Sequence, residues 1–297
     1  MWRRDFSPGD GRLPPVDYHA GMPVERGRPP GAAAVEPVSR VDAPPLAASS
    51  LAALRSLATY VALALYILLV APPGLAAALA FRWKSLLYVL GHAGIRLGLL
   101  LSGIRYHVSG REHVPVRRAV VFCANHESNI DPPVLFEALN PRLHILYKAE
   151  LSKLPLLGPA MRVGGFVAVD RANRDQSFAS IARGAESLRA GNSFLIFPEG
   201  TRSRTGALLP FKKGGFIMAI QAQVPVVPVA VAGGRAAMRR GSPLVHPVTM
   251  RVRIGRPVET AGLTLDDRDR LIGEVRGRIQ TLLGEIDEEA DRSPDAH

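Results

Sequence analysis

Cysteine is almost missing from this 297-residue chain, with Cys123 the sole example. One thiol cannot form an intramolecular disulfide framework or a multi-cysteine metal shell, and its rarity suits a reducing compartment. The eight histidines do not cluster with cysteine or acids at zinc-like spacings, so no metal is expected. Aromatic residues are also scarce, at 6%, and do not interleave with the basic ones. That removes the stacking platforms by which nucleic acid is held, and a nucleic-acid-binding role with them. Charge of either sign is absent over the 26 residues 56–81.

Acids are in short supply in one part of the chain only. Residues 1–50 hold six arginines and six acids, residues 51–260 carry +16, and residues 261–297 carry −5, within a total of +11. The excess therefore sits in the middle, where it favours an anionic membrane surface or a phosphorylated small molecule.

Composition also divides the chain. Residues 1–50, with nine prolines and no sustained apolar period, read as a disordered Pro/Gly-rich tail. The uncharged run 56–81 is long enough to span a bilayer, but it lies too far from the N-terminus to be an ordinary cleaved signal peptide. Pro72-Pro73 is expected to divide it. A second apolar stretch, "SLLYVLGHAGIRLGLLLSGI", carries His92 and Arg96, which makes it a poor lipid-buried span. Residues 51–104 thus read as membrane-associating apolar helices. A hairpin dipping into one leaflet and a single crossing both fit, and a buried soluble hairpin is the bland alternative.

From residue 105 the texture changes. "AVVFCA" (119–124), "GFVAV" (165–169), "SFLIF" (193–197), "VPVVPVAVA" (224–232) and "TMRVRIG" (249–255) read as strands. Residues 132–140, 175–190, 212–223 and 265–286 read as helices. Strands alternating with helices predict an α/β domain over 105–260 with a largely parallel sheet flanked by helices. A C-terminal helix and an acidic tail are expected over 261–297.

Four stretches offer chemistry. In "NHESNID" (125–131), His126 follows a buried strand and Asp131 precedes Pro132. Asp131 reads as a helix cap, and a carboxylate fixed in that way can also hold one imidazole nitrogen, leaving the other to take a proton. "FPEGTRSRTG" (197–206) places Glu199, Gly200, Thr201 and Arg202 after another strand, either as a polar hairpin loop or as an anion site. "GGFVAVDRANR" (164–174) ends a strand at Asp170-Arg171, either a surface ion pair or a second arginine for that site. "VPVVPVAV" (224–231) carries no reactive group and can only line an apolar wall. Cys123 shares a strand face with Asn125, not His126, and reads as a buried core residue.

The order of these motifs, with "KAELSKLPLLGPAMR" between the first two, resembles the glycerophospholipid acyltransferase superfamily over roughly residues 85–260, nearest its lysophosphatidate-acylating branch. The resemblance implies a glycerolipid acyltransferase-like α/β domain with His126 as general base and Asp131 as its orienting partner. It implies that Arg171, Glu199, Gly200, Thr201 and Arg202 bind the acceptor, with the arginines on its phosphate. The implied reaction moves an acyl group from acyl-CoA or acyl-carrier protein to the sn-2 hydroxyl of 1-acylglycerol 3-phosphate, without cofactor or metal. Lyso-ornithine lipid, glycerol 3-phosphate or another lysophospholipid stand as alternative acceptors, and a non-catalytic membrane-binding scaffold as the alternative of another class. The implied partners are the phospholipid bilayer, a lysophospholipid and the acyl donor. The expected place is the cytoplasmic membrane, with the catalytic domain facing the cytoplasm.

Overall fold

The computed structural model describes residues 46–81, 83–139, 143–169 and 174–292. The predicted tail falls mostly outside these residues, and the first helix starts within its expected end. That helix, α1 (Leu46–Ala80), is followed by α2 (Lys84–Ser102). The α1–α2 pair is an antiparallel hairpin whose contacts step in opposite directions along the two chains. A Cβ on Gly94 would lie 2.9 Å from the Tyr66 ring, one on Gly98 3.2 Å from Leu63, and one on Gly74 2.4 Å from Leu90. Only residues this small let the helices approach so closely.

The prolines do not divide the first run. Pro72 and Pro73 lie inside an unbroken α1. A mid-helix proline forfeits a donor and crowds the carbonyl one turn back, at a cost of about 3 kcal/mol in water. Here α2 grips α1 on both sides of the pair, through Gly94 and Gly98 before it and Leu90 after it, and so holds the helix continuous.

The large apolar side chains of α1 face outward. Leu68 is 63% exposed and Leu69 69%, and both helices are long and apolar enough to cross a membrane. Such a surface marks a membrane-associated protein. The polar interruptions of α2 reach the next helix: the His92 and Arg96 side chains both bind Glu137, whose side chain is buried there.

Beyond the hairpin, seven strands form one sheet in the order β1-β7-β6-β2-β5-β3-β4. They are β1 (Arg105–Ser109), β2 (Val121–Ala124), β3 (Leu143–Lys148), β4 (Val167–Val169), β5 (Ser193–Ile196), β6 (Val226–Ala232) and β7 (Thr249–Ile254). All neighbours are parallel except β6 and β7. The largely parallel sheet is therefore as the sequence predicts. β1 and β3 were not anticipated, because their polar-apolar mixtures, "RYHVS" and "LHILYK", lack the uninterrupted apolar character of the strands beside them.

The helices α3 (Asp131–Ala138), α4 (Leu157–Val163), α5 (Arg174–Arg189), α6 (Gly214–Ala222), α7 (Gly234–Ala237) and α8 (Arg268–Arg292) complete the fold. Alternation along β2 separates two cores. Phe122 and Ala124 join Val134, Leu135 and Leu99 from α3 and α2 on one face. Val121 and Cys123 join Leu188, Phe216, Met218 and Val275 from α5, α6 and α8 on the other. The result is a sheet sandwiched between helices. Pro228 is accepted in a central strand because it sits where the β6–β7 ladder ends, at the Val229–Ile254 pair. α8 continues past its expected end at 286 to Arg292. Ile286 is buried there, and Arg253 of β7 binds Glu285 and Glu289 at 3.3 and 2.5 Å.

Candidate active site

Because β2, β5 and β6 are adjacent and parallel, their carboxyl ends open onto the same edge of the sheet. Ligand sites of α/β proteins gather at this edge, where helices leave backbone groups and loops free. Three loops meet here: 125–130 after β2, 197–210 after β5, and the turn into α7 after β6.

The first loop is wired to its own helix. Asp131 is fully buried, and its Oδ2 accepts from Glu127 N at 2.6 Å, Ser128 N at 2.7 Å and His126 Nδ1 at 2.9 Å. It opens α3 but makes no cap of that helix; what it caps is the loop. Asp131 thus lies against the histidine ring and the loop backbone and gives α3 no side-chain cap. The bond fixes the His126 tautomer so that Nε2 is the nitrogen able to receive a proton. The imidazole also stacks on Phe197, with centroids 4.2 Å apart and planes 26° from parallel, and keeps 17% of its side chain exposed. Asp131 Oδ1 is buried without a hydrogen-bond partner and looks onto Gly234, where a Cβ would come within 2.2 Å of it. Only glycine fits there. Asn125 fastens the loop to β6, exchanging 2.8 Å bonds with the backbone N–H and carbonyl of Val231.

The second loop is tied to the first by Glu199. The residue is 3% exposed, with Oε1 accepting from His126 N at 2.8 Å and Oε2 from Leu209 N at 2.9 Å. Burial raises its pKa, and these two backbone donors pull it back. Gly200 has φ +68°, and a Cβ on it would meet Lys212 Nζ and Cε at 2.8 Å, so the lysine stem lies over this glycine. Thr201 is exposed and Arg202 half-buried. Ser203 N donates to His126 O at 2.8 Å, closing the link between the two loops.

His126, Asp131, Glu199, Gly200, Thr201 and Arg202 are thus brought to one place. Arg171 lies outside the described residues; β4, which leads to it, is three strand spacings from β2, about 14 Å. Cys123 is fully buried in β2, where burial and the Glu199 charge push its thiol pKa well up, so it offers no nucleophile. Sequence reasoning missed Lys212, Arg235 and Arg240. The last two donate to the backbone carbonyls of Thr205 at 2.6 Å and Arg202 at 3.0 Å. Only the basic pair in "PFKKGG" gave a signal, and it read as a helix start. Among the described residues no cluster of His, Cys, Asp or Glu is suited to a metal.

A buried carboxylate holding a histidine, with cations around an adjacent glycine, is equipped to deprotonate a hydroxyl beside an anionic group. Comparison with known proteins bears on which one. Residues 105–232 match a family model described as Acyltransferase. The human 1-acyl-sn-glycerol-3-phosphate acyltransferase alpha is 34% identical over 197 residues, 65% of this chain and 70% of that protein. The 1-acyl-sn-glycerol-3-phosphate acyltransferase of Saccharomyces cerevisiae is 33% identical over 190 residues, 63% of this chain and 62% of its own. In fold, the chain is similar to the crystal structure of the 1-acyl-sn-glycerophosphate (LPA) acyltransferase PlsC from Thermotoga maritima. The TM-score is 0.71, covering 80% of this chain and 97% of that one at 24% identity.

Proposed function

The chain belongs to the glycerophospholipid acyltransferase superfamily, and on that premise we propose that it acylates the sn-2 hydroxyl of 1-acylglycerol 3-phosphate to give phosphatidic acid. The observation that carries this reading is the 2.9 Å bond from His126 Nδ1 to a buried Asp131 that also accepts two backbone N–H groups. That bond leaves Nε2 of His126 to take the hydroxyl proton as the oxygen attacks a thioester carbonyl. Asp131 stabilises the imidazolium so formed. As the tetrahedral intermediate collapses, the C–S bond breaks, the ester C–O bond remains, and the imidazolium returns its proton to the leaving thiolate. No redox step or cofactor enters. The acyl donor is acyl-CoA or acyl-carrier protein, as a co-substrate.

Arg202 and the neighbouring Lys212 supply positive charge for the acceptor phosphate, and the family motif assigns Arg171 to the same phosphate. Gly200 lets the acceptor approach the backbone, and Thr201 offers a hydroxyl at the open face. Glu199 serves from behind, fixing the loop that carries the base. These cations favour a phosphate-bearing acceptor over lyso-ornithine lipid. The hairpin holds the site at the bilayer surface, so a lysolipid need not leave the membrane fully. The positive middle of the chain suits the cytoplasmic leaflet, where we place the catalytic domain.

An acceptor panel tests the reading. The purified full-length protein in detergent receives 1-acylglycerol 3-phosphate, glycerol 3-phosphate and lyso-ornithine lipid, each with acyl-CoA and acyl-carrier protein. Preferential formation of phosphatidic acid is expected, and acylation of another acceptor in preference overturns it.

A further inference from the structure

Among the described residues the Arg235 guanidinium bonds to a backbone carbonyl and not to a carboxylate. Arg235 stands in α7, directly after β6, where Gly234 presses on the His126 loop: a Cβ there would fall 2.2 Å from Asp131 Oδ1 and 3.0 Å from Ser128 Cβ. From this fixed base the Arg235 side chain reaches across to the second loop and donates from Nη1 to Thr205 O at 2.6 Å. Next to Thr205, Gly206 has φ +91°. A Cβ on it would meet Arg235 Nη1 at 3.0 Å and Glu127 Oε1 at 3.9 Å. The guanidinium, the Glu127 carboxylate and the 205–206 turn therefore converge on one point.

The same turn is braced from within. Ser203 Oγ donates to Ala207 O at 2.8 Å and accepts from Gly206 N at 3.1 Å, while Ser203 N is bonded to His126 O. A displacement at Thr205 is thereby passed to the backbone directly after Arg202. Glu127 is 9% exposed, which is unusual for an acid that among the described residues makes no ion pair within 4 Å. Burial and the charge of Asp131 raise its pKa to about 7, Arg235 opposes that rise through its charge and backbone N–H, and Glu199 adds to it.

We propose that Arg235 is a positioning residue for acceptor binding: it clamps the 201–206 loop onto the His126 loop, and the charge on Glu127 sets how firmly the clamp holds. When Glu127 is ionised, its field holds the guanidinium over the turn; when it is neutral, that hold is lost and the turn loosens. The groups facing Glu127 are Asp131, Glu199 and Arg235, with His126 its neighbour in sequence. Because the pKa is raised to about 7, the firm state lies above that pH and is lost below it. This inference rests on the proposed acylation of a phosphate-bearing acceptor.

The test uses the full-length protein in detergent with 1-acylglycerol 3-phosphate and acyl-CoA. Arg235→Ala is expected to raise the acceptor KM about tenfold, as loss of one charge-assisted hydrogen bond would, with a much smaller change in kcat. Arg235→Lys, which keeps a donor and the charge, should recover most of the loss. The acceptor KM of Glu127→Gln divided by that of the wild type should be near one at pH 6 and several-fold at pH 8. The acceptor's own ionisation cancels in that ratio. An unchanged KM in Arg235→Ala, a loss confined to kcat, or a ratio flat with pH overturns the proposal. Hydrogen exchange of a peptide covering 201–207 provides a substrate-free arm. Faster exchange in Arg235→Ala supports the clamp, and unchanged protection removes it. Should the wild type fail to acylate this acceptor, the proposed function falls while the exchange arm still decides the clamp.

Discussion

The hairpin and the central strands are equally apolar in sequence and opposite in fate. Leu68 and Leu69 on α1 are mostly exposed, whereas Val227, Val229 and Val231 on β6 are fully buried. Residue type does not separate them; what covers them does. β6 is shielded by β2 and β7 at its sides and by helices above and below, as a central strand of a parallel sheet must be. Among the described residues α1 has α2 along one face, and Ser56 and Tyr60 fasten it to the 243–245 segment by bonds of 2.8 and 2.6 Å. Its other large apolar side chains are exposed, as on a membrane-associating surface. One kind of apolar run thus builds the scaffold for the proposed base, and the other is the membrane-associating surface.

If the division holds, each region can be broken without the other. The largest effect is expected at the strand-end site. His126→Ala should lower turnover by about 10²–10⁴-fold, while circular dichroism and membrane recovery stay as in the wild type. A near-normal rate would remove the mechanism.

The converse experiment alters the hairpin. Leu68→Glu with Leu69→Glu puts two carboxylates on the exposed face of α1, each costing on the order of 2–3 kcal/mol in lipid. Much of the protein should then shift to the soluble fraction, with turnover on detergent-dispersed substrate nearly retained. Equal loss in both assays would mean that hairpin and site are not separable. A protease added to intact spheroplasts sharpens the topology. A hairpin confined to the cytoplasmic leaflet protects an epitope placed before residue 46, and cleavage of that epitope identifies a single crossing.

A smaller effect is expected from Glu127. Its pKa in the folded state is raised to about 7, so the stability it contributes is present at low pH and lost as pH rises from its ordinary carboxylate range through about 7. Glu127→Gln escapes that loss. Its melting temperature should exceed the wild type's by a few degrees at pH 8 and match it at pH 4. A gain that is the same at both pH values would place the effect outside this titration. Smallest of all is Cys123→Ala, for which kcat should stay within about twofold, since the buried thiol takes no part in transfer. A dead variant, or an acyl group trapped on Cys123 in the wild type, would revive a covalent route.

Much of this could be read before folding. The strands β2, β5 and β6 announce themselves as uncharged β-branched runs, and His126 and Asp131 stand where a buried strand gives way to a proline-led helix. β1 and β3 stayed hidden because their residues mix polar and apolar character without a clean period, and only neighbours across the sheet make strands of them. α1 was misjudged at Pro72-Pro73 for a related reason. Local propensity counts the lost donors, but the grip of α2 on both sides of them is a tertiary fact.

The apolar runs, the surplus of positive charge in the middle of the chain, the candidate base and its carboxylate, and the α/β alternation are written in the order of residues alone. These follow from composition and period, which are local. Tertiary structure alone decided that Glu199 turns inward to the backbone of His126, and that Arg235 and Arg240 reach loop carbonyls 30 and 38 residues away. Each is a hydrogen bond between groups that only the parallel sheet brings to one edge, and no local pattern encodes which strand ends will be neighbours.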